Sequence, residues 1–111
     1  MSDVDHEMEG LRAISPQAVL QREGGRPWVL LPQTKLQTPG GIEVMDTVLC
    51  PEGDGSYVTR LLLERRVARK DNLNWQQVMA IGRPWHTWSW NGVPASQAWL
   101  RIFIEHARQL R

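Results

Sequence analysis

The chain has 111 residues, one cysteine, 41% hydrophobic and 23% charged residues, and a formal net charge of +1. That length gives one domain able to bury its own core, and no apolar run nears the roughly 20 residues that span a bilayer. A lone thiol excludes an internal disulfide and fits a reducing, cytoplasmic compartment, while the near-neutral balance argues against bulk capture of nucleic acid or membrane.

The first ten residues carry Asp3, Asp5, Glu7 and Glu9 and no Lys or Arg. This is the opposite of a secretory signal and reads as a solvated acidic tail over residues 1–12, leaving 13–111 as the domain. His6-Glu7 has no second histidine nearby, so no metal site is expected there. Ser15-Pro16 has the chemistry of a helix start, with Ala18, Val19 and Leu20 as the apolar side and Gly24-Gly25 as the end. A helix of about two turns is expected from this pattern.

Pro27 to Leu36 reads as a strand bent at Pro32, because proline donates no ladder hydrogen bond. Thr38-Pro39-Gly40-Gly41 is a turn, and a second strand runs from Ile42 to Cys50. Pro51 to Gly55 makes the next turn. The third strand, Tyr57 to Val67, carries Leu61-Leu62-Leu63, apolar on both faces. Asn74 to Ile81 has apolar residues at 75, 78, 79 and 81, the spacing of a short helix capped by Asn74. Pro94 to Arg111, with Ser96 as a candidate cap, places Trp99, Ile102, Phe103, His106 and Leu110 on one stripe, the mark of an amphipathic helix. The expected fold is α+β: a small antiparallel three-stranded meander covered by an N-terminal and a C-terminal helix.

Three features carry candidate function. Residues 82–91 hold Trp85, Trp88 and Trp90, with His86 and Asn91 beside them, in a segment that reads as turn-rich. It is either a plug over the core or a docking surface, since tryptophan serves both uses. Residues 60–70 carry Arg60, Arg65, Arg66, Arg69 and Lys70 against Glu64 alone, a local net charge of +4. That is either a solvated strand end or a patch for an acidic partner. Cys50 is the one candidate nucleophile. No serine-hydrolase elbow, phosphate loop or zinc-protease motif is present, and nothing calls for a cofactor.

Gly82-Arg83-Pro84-Trp85-His86-Thr87-Trp88-Ser89 resembles the G-R-x-W-x-x-W-S stretch of the small prokaryotic relatives of ubiquitin-conjugating enzymes, the UBC-like proteins. The Pro51-to-Gly55 turn leading into the leucine run is similar to that family as well. The resemblance covers roughly the C-terminal 60 residues. It implies a reduced UBC-like domain in a bacterial ubiquitin-like conjugation system, with a ubiquitin-like modifier and an activating-type enzyme as partners and antiviral defence as a setting. In that family a cysteine after the meander carries the modifier as a thioester, but no cysteine follows residue 50 here. A binding, non-catalytic role through Trp85, His86, Trp88, Trp90, Asn91, Arg65, Arg66 and Arg69 is therefore expected. The alternatives are a ubiquitin-like transferase using Cys50 and a small nucleic-acid-binding protein.

Overall fold

The computed structural model describes residues 3–70 and 73–111. Among them, one antiparallel sheet holds six strands: β1 (Val19–Glu23), β2 (Arg26–Thr38), β3 (Gly41–Cys50), β4 (Arg60–Leu63), β5 (Trp75–Ala80) and β6 (Arg83–Trp88), in the spatial order β1-β2-β3-β4-β6-β5. Two helices, α1 (Asp3–Arg12) and α2 (Trp99–Ala107), pack on each other, and a 3-10 turn over Arg108–Leu110 extends α2.

The three-stranded meander is thereby corrected: β2 and β3 match its first two strands, the third is cut from the expected 57–67 to Arg60–Leu63, and three more strands flank them. Val19–Glu23 is a strand where a helix was expected, and Ser15 does not cap anything helical; its hydroxyl donates to the carbonyl of Pro32 at 2.8 Å. Trp75–Ala80 is also a strand where a short helix over residues 74–81 was expected, because the chain folds back at once and pairs with Arg83–Trp88. The described part of the expected tail, residues 3–12, is helical, because Met8 and Leu11 are spaced to face one way and both are buried.

Pro32 marks a real irregularity, as expected. The β2–β3 register shifts between Leu31 and Thr34, with Gln33 at φ 54° and its amide held by the Asp46 carboxylate at 3.0 Å. Pro32 and Gln33 there oppose the single residue Asp46 on β3, so Leu31, Thr34 and Leu36 all stay buried.

Two cores result, one on each face. On the helical face Val29, Leu31, Met45, Leu49, Leu61, Leu63 and Trp88 meet Met8 and Leu11 of α1 and Trp99, Ile102 and Phe103 of α2. On the other face Trp28, Val48, Cys50, Leu62, Ala80 and Trp85 form a smaller cluster to which no described helix contributes. It is closed by curvature. Six strands lying flat would set the outer two apart by about 24 Å at 4.8 Å per step, yet the Glu23 carboxylate accepts the amide of Ile81 at 3.0 Å. Twist brings the β1–β2 and β5–β6 turns together over this second core.

The helix α2 starts at Trp99, later than expected, and Ser96 is not its cap. The amide of Trp99 donates instead to the Glu7 carboxylate of α1 at 3.0 Å, which places a negative charge at the helix N-terminus. The acidic N-terminal segment thus has a structural task.

Candidate functional site

The tryptophans do not share a surface. Residues 83–88 form β6, not a turn-rich plug, so alternate side chains take opposite faces. Trp85 is 0% exposed in the smaller core; its indole N–H donates to the Ala80 carbonyl at 2.8 Å and the Arg83 guanidinium lies 4.0 Å from its ring centre. Trp88 is buried on the helical face, edge-on to Trp75 at 5.7 Å and to His106 at 6.3 Å. Trp90 lies beyond the strand and is 40% exposed. Asn91 is exposed, but its side-chain oxygen accepts the amide of Val58 at 2.9 Å and ties two loops. His86 is half-buried beside Leu63 and Gln77, and its Nδ1, like the Trp88 Nε1, has no hydrogen-bond partner among the described residues. A single docking face built from Trp85, Trp88 and Trp90 is ruled out by this alternation; both strand tryptophans are core.

Cys50 is 0% exposed between Val48 and Leu62. Burial pushes its thiol far above the ordinary range, the Asp54 charge adds to this, and Arg60 offsets only part. Nucleophiles need the reverse, access and a lowered pKa. The geometry therefore makes Cys50 a packing residue.

The basic segment divides. Arg60, expected at a charged surface, is 3% exposed. Its guanidinium donates to Asp54 Oδ2 at 2.8 Å, Gln76 Oε1 at 2.6 Å and Thr87 Oγ1 at 3.3 Å, and stacks 4.1 Å from the Tyr57 ring centre. Gln76 in turn donates to Ser89. Burial raises the Asp54 carboxyl, but the Arg60 guanidinium and the amides of Ser56 and Tyr57 outweigh it, so the group sits below its usual value. Each Arg60 nitrogen makes a hydrogen bond within the protein and the side chain is 4% exposed, so this network holds the fold. Sequence reasoning missed it because its members come from β4, β5, β6 and the 51–59 loop. That loop depends on Gly53 at φ 77°, where a Cβ would stand 1.9 Å from the Tyr57 carbonyl oxygen.

The remaining cations stay outside. Arg65 pairs with Glu43 at 3.5 Å and donates to the Val44 carbonyl at 3.4 Å. Arg66 and Arg69 are exposed and make no ion pair among the described residues. Next to Arg65, Ile42 is 66% and Val44 48% exposed on the β2–β3 hairpin. Apolar side chains thus stand in solvent on the hairpin that Arg65 contacts.

His106, on the inner stripe of α2 as expected, is 1% exposed. The Thr59 hydroxyl lies 2.7 Å from the Val93 carbonyl, which can only accept, so Thr59 donates there and His106 Nε2–H donates to Thr59 Oγ1 at 2.9 Å. Burial first, and then the Arg60 charge, lower its pKa from 6.5 to about 4. A depressed histidine pKa favours the neutral folded form, so its contribution is complete above pH 6.5 and is lost as pH falls toward 4. About 3 kcal/mol of stability should disappear over that window. Urea unfolding at stepped pH measures it, and His106→Gln should flatten the profile there.

No three His, Cys, Asp or Glu side chains among the described residues come together as metal ligands, and no described helix is long and apolar enough to cross a membrane. A shallow groove of about 440 Å³ opens between the 52–58 loop, Arg26 and Asn91. Arg26 and Glu52 line it, and the Arg26 guanidinium donates to the Glu52 carbonyl at 3.3 Å. The chain matches no family model, and no curated protein or solved structure matches it either.

Proposed function

We propose that this chain is a protein-binding, non-catalytic component of a ubiquitin-like conjugation system. The observation that carries the non-catalytic half is Cys50, sealed inside the second core with its thiol pushed away from ionisation. The binding half rests on Ile42 and Val44, exposed beside Arg65, with Arg66 and Arg69 following in the chain. Exposed apolar side chains on a hairpin that an exposed arginine contacts suit a partner with an acidic surface, and arginine is favoured among interface anchors.

The conjugation context rests on the resemblance of residues 82–89 to UBC-like proteins. In the fold those residues supply the second turn residue and the β6 strand of the β5–β6 hairpin: Gly82 sits in the turn at φ 74°, Arg83 covers Trp85, and Trp88 packs on Trp75. The motif therefore speaks for architecture, and the contact chemistry comes from the β2–β3 hairpin and the arginines.

The test mixes the protein with a ubiquitin-like modifier and activating enzyme from the same genome, with ATP. The expected result is a salt-sensitive complex, weakened at least about tenfold by Arg65→Glu with Arg66→Glu, and no reductant-sensitive adduct. An adduct that Cys50→Ala removes would restore the transferase reading. Failure to bind either partner would end the conjugation reading.

A further inference from the structure

From the open edge of β5, we infer that two copies of this chain pair through that strand, antiparallel and about a two-fold axis at Val78. This stands apart from the proposed conjugation role, because it uses a different edge of the molecule.

β5 is the last strand of the sheet, and among the described residues only β6 pairs with it. The hairpin between them has two central residues, Ile81 and Gly82, at φ 51° and 74°. Two successive positive φ values mark a type I′ turn, whose flanking residues, here Ala80 and Arg83, exchange both hydrogen bonds. Alternation then makes Val78–Trp85 and Gln76–Thr87 the next bonded pairs. The amides and carbonyls of Gln77 and Met79 must therefore point away from the sheet. Trp75 is different, since its amide already donates to the Leu73 carbonyl at 2.9 Å.

Sheet edges are ordinarily guarded by charge, proline or brevity. β1 at the opposite edge follows that rule with Arg22 and Glu23. β5, Trp-Gln-Gln-Val-Met-Ala, has neither charge nor proline, and Met79 is 70% exposed. Its neutrality matters for a second copy in particular, because charges near a two-fold axis meet their own kind.

The free groups also match themselves. With Val78 opposite Val78 of the second copy, Gln77 faces Met79 and Met79 faces Gln77. Each of these pairs exchanges two hydrogen bonds, which satisfies the outward amides and carbonyls of residues 77 and 79 on both strands. The two Val78 residues form a non-hydrogen-bonded pair, with Cα atoms about 4.5 Å apart. The pairing of two short strands is modest in extent, so the dimer is concentration-dependent.

Light scattering across a wide concentration range should give a mass rising from 12.8 kDa toward twice that value. Val78→Cys should yield a reductant-reversible dimer on mild oxidation, since its spacing lies within disulfide reach. Met79→Cys, displaced from the axis, should cross-link far less. Met79→Pro removes only an outward amide, so circular dichroism should be unchanged while the mass stays monomeric. A monomer at every concentration overturns the inference. So does a dimer that Val78→Cys fails to trap, which would place the contact elsewhere.

Discussion

Trp85→Ala should destabilise the protein by about 3–5 kcal/mol, the range for removing a fully buried tryptophan. The ring is 0% exposed and fills the centre of the second core, between Trp28, Val48, Leu62 and Ala80. No described helix contributes to that core, so only the neighbouring strand side chains can relax into the space. Two further losses accompany the cavity: the Ala80 carbonyl loses its indole donor and the Arg83 guanidinium loses its stacking surface. Thermal unfolding should show a midpoint lowered on the order of 15 °C for a domain of this size. A change below about 1 kcal/mol would mean the second core is not closed as described.

Arg60→Met should cost about 3 kcal/mol or more, because it removes one partner of a buried charge pair and leaves the other. The side chains of Arg60 and Asp54 are 4% and 14% exposed. Methionine replaces the volume but takes the Arg60 donor from Asp54 Oδ2, Gln76 Oε1 and Thr87 Oγ1. Adding Asp54→Asn should recover part of the loss, and the double-mutant cycle isolates the pair. The pH dependence has a definite sign. The Asp54 carboxyl is held below its usual value, so its contribution is present above the unfolded value and is lost as pH falls through the folded one. In Arg60→Met this acid limb should shrink. Additive single mutants would remove the pair from the account of stability.

Much of the central architecture was legible. The leucine run at 61–63 announces a strand buried on both faces, and it lies between both cores. The turns at 38–41 and 51–55 and the closing amphipathic helix follow from local chemistry. β5 and β6 were not legible for a related reason. Each has apolar side chains on both faces, Trp85 in one core and Trp88 in the other, so the two-residue alternation that marks a strand is erased. Trp75, Val78 and Met79 then imitate helical spacing. The helix α1 was hidden by its acids, which outnumber the two side chains it buries.

At the candidate site the difference is sharper. Exposure of Arg65, Arg66 and Arg69 could be read from charge, whereas the burial of Arg60 could not. Its partners Asp54, Gln76 and Thr87 lie 6, 16 and 27 residues away, separations that only strand register determines. The apolar hairpin tip at Ile42 and Val44 reads as ordinary strand until its neighbours are known.

The bond from Ile81 to Glu23 sets a condition on anything that joins the sheet. Ile81 is a β-branched residue at positive φ, a strained position, and the carboxylate across the fold fastens it there. The hand and pitch of the outer strand are therefore locked before any neighbour arrives, and a flat ribbon laid along it would drift out of step within a few residues. A companion with the same coiling meets no such misfit, which makes a handed, self-limiting pair the natural product in place of an endless ladder.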